Sequence, residues 1–161
     1  MENLLKSLAS LQDRLRRADI PSAVIGGIAV GVWGEPRLTR DVDVKVLLGR
    51  DDAARLLEIL TPDYVPLQPD PVRALVRTGV LFVQDEAGTR VDILLSDVEF
   101  DAEAVQRACP VELEPGLAAT VCTAEDLIIY KLISTRLRDH EDAAGVILRQ
   151  GDALDDAYVL G

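Results

Sequence analysis

Aromatic residues make up only 4% of the 161-residue sequence, with one Trp, three Tyr and two Phe. A core must therefore be aliphatic, and the 48% hydrophobic content supplies it. Cysteine is as scarce. Cys109 and Cys122 have no metal-ligand or redox spacing, and one pair makes no disulfide framework. Both read as small buried hydrophobes. Long apolar runs are missing too: Ala23 to Trp33 is short and broken by glycines, which excludes a membrane span. Met1-Glu2-Asn3 lacks the basic start of a signal peptide. Basic residues are outnumbered 17 to 28, giving −11 at pH 7. That balance excludes broad attraction to nucleic-acid backbones and argues against a DNA partner, while leaving room for a local basic patch. These absences predict a reduced, cytoplasmic protein with no membrane partner. The length predicts one domain, 1–161, burying roughly 68–70% of its unfolded surface.

What is present reads as a mixture of helices and strands. Leu4, Leu8, Leu11 and Leu15 share one helical face, and Pro21 stops that helix. Ser22 to Ile25 is a short strand, Gly26-Gly27 a sharp turn, and Ile28 to Trp33 a brief helix. Asp41 to Leu48 alternates cleanly, with Val42, Val44, Val46 and Leu48 on one face and Asp41, Asp43 and Lys45 on the other. Asp51 is expected to cap a helix carrying Ala54, Leu57 and Leu60 inward. Tyr64 to Pro71 reads as loop, and Val72 to Thr78 as a helical turn or strand. Val80 to Gln84 and Arg90 to Leu95 form a hairpin, and Asp101 to Ala108 a short helix. Val111 to Glu114 and Leu117 to Cys122 form a second hairpin or two edge pieces. Thr123 opens a helix with a capping-box pattern, expected to run to about Arg136. Asp139 to Leu148 is the last helix, and the apolar end from Ala157 to Gly161 has no helix stop, so the natural chain is expected to continue. The fold class is α/β (α+β), a small mixed sheet flanked by helices.

The chemistry concentrates in Gly26-Gly27 … Arg37-Leu38-Thr39-Arg40-Asp41-Val42-Asp43. Two carboxylates at i and i+2 on a strand point the same way, roughly 7 Å apart at Cα. Unless they form only the polar face of an edge strand, they are suited to Mg²⁺, singly or as a pair of ions. Gly-Gly between a strand and a helix offers bare N–H groups to phosphate, or is an ordinary tight turn. Asp92 is the one charge within Val91-Asp92-Ile93-Leu94-Leu95, where an acid requires an arginine or a metal as partner. Lys131 interrupts the apolar run Leu127 to Ile133, as a snorkelling lysine or a cleft cation. His140, among charges, reads as a solvated surface residue and Trp33 as core or pocket wall.

The pattern Gly-Gly-x9-Arg-x-Thr-x-Asp-x-Asp, the isolated Asp92, and Thr123 to Lys131 followed by Arg138-Asp139-x-x-Asp142 resembles the nucleotidyltransferase superfamily. Within it, the chain is similar to AbiEii-like and MenT-like toxin nucleotidyltransferases and their solo relatives, over about Ser22 to Gln150. The resemblance implies the polymerase-β-like nucleotidyltransferase fold, a catalytic sheet core over 22–100, and C-terminal helices over 123–150 completing the cleft. It implies that Asp41, Asp43 and Asp92 hold two Mg²⁺ ions and form the catalytic set. It further implies that Gly26, Gly27, Arg37, Thr39, Lys131 and Asp142 bind the NTP, ATP among them. Many family members carry Gly-Ser where this chain has Gly26-Gly27, which removes one hydroxyl contact to the triphosphate.

Expected reaction and partners follow from that resemblance. An NMP would pass from an NTP to an acceptor hydroxyl, such as a tRNA 3′ end, in a toxin-like protein with a cognate antitoxin. A second reading is a small-molecule, aminoglycoside-like transferase, which the −11 charge favours because an acidic cleft attracts a polycation. A third is a non-catalytic module that keeps the fold and binds a nucleotide or a partner.

Overall fold

The computed structural model describes residues 1–161 and contains one seven-stranded mixed sheet ordered β3-β4-β5-β2-β1-β7-β6. The strands are β1 (Ser22–Ile25), β2 (Asp41–Val46), β3 (Tyr64–Pro66), β4 (Val80–Asp85), β5 (Arg90–Leu95), β6 (Cys109–Glu114) and β7 (Leu117–Val121). The helices are α1 (Glu2–Arg17), α2 (Gly26–Trp33), α3 (Ala53–Leu60), α4 (Pro71–Thr78), α5 (Glu99–Arg107), α6 (Ala124–Leu132), α7 (Leu137–Gln150) and α8 (Asp156–Leu160). No helix is long and apolar enough to cross a membrane. The mixed α/β class expected from the sequence is the observed one.

The alternation of β2 divides the molecule. Val42, Val44 and Val46 are fully buried, as are Val91 and Ile93 of β5 and Leu81 and Val83 of β4. They share one aliphatic cluster with Leu8, Leu11 and Leu15 of α1 and Leu56 and Leu60 of α3. Each such side chain contributes about 1.5–3 kcal/mol of burial. The opposite face of β2 carries Asp41, Asp43 and Lys45, and only its far end is dry. There Lys45 Nζ pairs with Asp101 Oδ2 of α5 at 2.9 Å, and Tyr130 of α6 donates its hydroxyl to Asp101 Oδ1 at 2.9 Å. The near end, with Asp41 and Asp43, is left open.

Several local expectations are corrected. A 3₁₀ turn, Arg50–Asp52, precedes α3, so the buried positions are Ala53, Leu56 and Leu60 rather than Ala54, Leu57 and Leu60. Asp52, not Asp51, stands at the N-cap, without a side-chain capping bond. Tyr64–Pro66 is an edge strand, not loop, and Pro71–Thr78 is a helix begun by Pro71 and capped by Asp70. Thr123 caps α6 as expected, accepting the Asp126 N–H at 3.1 Å, but α6 ends at Leu132. The Ser134 hydroxyl takes the Arg136 N–H at 3.2 Å, and such side-chain bonds compete with the helical ladder. A further short helix, α8, follows; Tyr158 donates its hydroxyl to the buried Asp126 at 2.7 Å.

Because Lys45 and Asp101 are 11% and 7% exposed, breaking the pair strands a charge in a dry place. Lys45→Met is expected to lower unfolding free energy by about 3–5 kcal/mol, and Lys45→Met/Asp101→Leu to recover most of it. Urea denaturation of the two variants checks this; equal losses would contradict the pairing.

Candidate active site

Parallel pairing of β2 with β5 sets the site. Asp43 lies in register with Asp92 and Asp41 with Arg90, so the acids of both strands share one face. Neighbouring strands stand about 4.8 Å apart. β1 runs antiparallel beside β2, pairing Ile25 with Asp43, and the chain then turns at Gly26 into α2. Gly26 has φ +64°, and a Cβ there would run into the Asp43 carboxylate, so only glycine fits. A Cβ on Gly27 would come within 2.5 Å of Thr39 Oγ1. The Thr39 hydroxyl thus fills the space a side chain at position 27 would need.

These groups open onto a cleft of about 570 Å³. Asp41, Asp43, Asp92, Gly26, Gly27, Arg37, Thr39 and Lys131 all line it, joined by Arg90, Tyr130, Ser134, Arg136, Arg138 and Asp139. Asp142, expected among the nucleotide contacts, does not line the cleft. It is buried behind two cations, accepting from Arg37 Nε and Nη2 at 3.0 Å each and from Lys131 Nζ at 2.9 Å. Asp139 accepts from the same Lys131 at 2.5 Å and from Ser134 at 2.7 Å and Arg136 at 2.6 Å. Burial works against the Asp139 charge, but those three donors outweigh it and hold its carboxyl down at about 2. Asp142 is likewise held low, by Arg37 and Lys131 against the cost of burial. Lys131, itself 7% exposed, is therefore fixed at the cleft wall between two carboxylates rather than snorkelling to solvent. His140 is exposed, with Nε2 2.7 Å from the Ser134 carbonyl oxygen. Trp33 packs against the core and donates its indole N–H to the Cys122 carbonyl.

The carboxylates differ in their partners. Asp43 is pushed up to about 6, by burial first and then by Asp92 and Asp41; the Gly27 N–H and Lys131 oppose this only in part. Asp92 accepts from Arg90 with both oxygens, at 2.7 and 3.1 Å. As these side chains stand, no three acids, histidines or cysteines are grouped closely enough to hold a metal ion. Yet the donor set is made of hard oxygens, and Asp43 carries uncompensated negative charge. The residues fit a divalent cation in kind, provided Asp92 turns from Arg90. Sequence reasoning passed over Arg90, although its position two before Asp92 on a strand already put both on one face.

No protein-family model matches this chain, and no curated protein matches it in sequence. Solved structures do match it in shape. An antigenic nucleotidyltransferase-like protein from Paracoccidioides brasiliensis aligns over 91% of this chain and 76% of its own, with TM-score 0.61 and 17% identity. The antibiotic-resistance factor ANT(2'')-Ia aligns over 93% and 85%, with TM-score 0.60 and 13% identity. The lincosamide antibiotic adenylyltransferase LnuA, with lincomycin bound, aligns over 88% and 94%, with TM-score 0.57 and 14% identity. The chain has the fold of the nucleotidyltransferases.

The Asp43 shift has a signed consequence. An acid whose folded value is about 6 against an ordinary 3.8 holds a proton in the folded chain that it gives up when unfolded. Stability of the metal-free chain therefore falls as pH rises from about 4 to about 6 through this group. Asp43→Asn is expected to stabilise the metal-free chain by about 1–3 kcal/mol at pH 7 and by almost nothing at pH 4. Urea unfolding in chelator at both pH values checks this; a destabilised variant at pH 7 would show the carboxylate to be a structural partner.

Proposed function

We propose that this chain is a divalent-metal-dependent nucleotidyltransferase that moves an NMP from an NTP to an acceptor hydroxyl and releases pyrophosphate. The observation that carries this reading is the charge of the cleft. A chain of net −11 gathers Arg37, Arg90, Lys131, Arg136 and Arg138 around Asp41, Asp43 and Asp92. Cations on the walls with a knot of acids on the floor suit a polyphosphate that arrives with its counter-ions. Two Mg²⁺ ions held by Asp41, Asp43 and Asp92 would supply charge neutralisation and a Lewis acid at the α-phosphate.

The chain's own groups divide the remaining work. Asp92 accepts the proton of the incoming hydroxyl as the new P–O bond forms and the α–β bridge bond breaks. Lys131, held by Asp139 and Asp142, meets the negative charge of the departing pyrophosphate. Arg37, held by Asp142, and the N–H groups of Gly26 and Gly27 bind phosphate oxygens. Thr39 supplies the hydroxyl that Gly27 lacks.

The motif order supports the AbiEii-like or MenT-like branch, with an RNA 3′ end as acceptor and a cognate antitoxin as partner. A small cationic acceptor is a second reading, favoured by the −11 charge and by the antibiotic adenylyltransferases among the structural neighbours. Incubation with each labelled NTP, Mg²⁺ and total RNA, with aminoglycosides and lincosamides in parallel, separates these. Label on RNA or on a small acceptor is the expected result, and absence of transfer to either would favour the non-catalytic module. Alanine at Asp41, Asp43 or Asp92 should reduce transfer at least about a hundredfold. Lys131→Ala should weaken binding of a non-hydrolysable NTP about tenfold by calorimetry; unchanged affinity would remove Lys131 from the site.

A further inference from the structure

Arg90 is the one cleft cation whose partner is itself one of the three floor carboxylates. Period-two geometry on β5 puts Arg90 and Asp92 on the same face, and the register puts Arg90 beside Asp41 of β2. The planar guanidinium grips both Asp92 oxygens, at 2.7 and 3.1 Å, and rests over the Phe82 ring of β4, 4.5 Å from its centroid. Three of the other four cations are attached elsewhere. Lys131 is committed to Asp139 and Asp142, Arg37 to Asp142 and Arg136 to Asp139. Arg90 is also 43% exposed, so it can leave Asp92 without being stranded in a dry interior.

We infer that Arg90 is a resident counter-ion of the metal site: it satisfies Asp92 when no divalent cation is bound and yields that carboxylate to the cation when one arrives. The inference rests on the transferase reading above and adds to it a residue that sets how tightly the metal is held. The two partners compete, because the bidentate guanidinium holds both Asp92 oxygens from the side a chelating metal ion would approach. The divalent cation must therefore displace a bidentate ion pair, which lowers its affinity. Phe82 keeps the arginine at the rim after displacement, since stacking on a ring asks nothing of Asp92. The exchange also explains why no ready-made chelating group of three acids exists in the metal-free chain.

The test is titration with Mn²⁺ alone, reading free Mn²⁺ by electron paramagnetic resonance, without nucleotide or turnover. Arg90→Gln, which keeps a polar side chain without the charge, and Arg90→Ala should each bind Mn²⁺ about threefold to tenfold tighter than the parent chain. Asp92→Asn should bind it more weakly, and Arg90→Gln/Asp92→Asn no tighter than Asp92→Asn. That cycle isolates the exchange at Asp92 from a general gain of negative charge. Unchanged or weaker Mn²⁺ binding in both Arg90 variants, with Asp92→Asn still impaired, overturns the counter-ion role and leaves the transferase reading standing. Mn²⁺ binding indifferent to Asp92→Asn, or absent from every variant, overturns both.

Discussion

The register between β2 and β5 is the constraint on which the rest depends. It sets Asp43 opposite Asp92 with Asp41 on the same face, bringing three like charges onto neighbouring strands at the wet end of a sheet whose other face is dry. Such a group is costly, and it adds to burial, the larger cause, in pushing the Asp43 carboxyl up to about 6. A one-residue slip would turn the acids into the aliphatic core and the valines into the cleft. The leucines of α1 and α3 against Val42, Val44 and Val46 make that slip prohibitive. The hydrophobic pattern that folds the chain is therefore also what assembles its acids.

Around that floor the molecule arranges compensating charge in two ways. On one wall the break between α6 and α7 lets Asp139 and Asp142 seize Lys131 and, through Asp142, Arg37. These cations are held in position before any ligand arrives, which spares the ordering cost of long side chains at binding. On the floor itself Arg90 answers Asp92 directly and sits partly in solvent. The first set is built to stay and the second to move. Gly26 completes the arrangement by letting the backbone pass closer to Asp43 than any side chain would allow.

Much of this was legible in the sequence where the signal was local. The period of β2, the isolated Asp92 and the Thr123 cap all come from residues within a few positions of one another. What escaped depends on distant partners or on subtle phase. Lys45 alternates correctly with Asp41 and Asp43, yet nothing nearby foretells that Asp101 and Tyr130 cover it. In α3, Ala53, Ala54, Leu56 and Leu57 admit two faces, and the preceding 3₁₀ turn chooses between them. Tyr64–Pro66 becomes a strand only because β4 offers it an edge. Arg90 was visible as a neighbour of Asp92 in period but not in energy, since its hold depends on a guanidinium plane and the Phe82 ring beneath it.

The central claim is that the acids of β2 and β5 are balanced by a divalent cation at the price of the Arg90 pair. Anomalous scattering from crystals grown with Mn²⁺ and a non-hydrolysable NTP examines it most directly. The expected result is an anomalous peak coordinated by Asp41, Asp43 and Asp92, with the Arg90 guanidinium detached from Asp92 and the triphosphate toward Lys131. A peak elsewhere, or none with Arg90 still gripping both Asp92 oxygens, would contradict it.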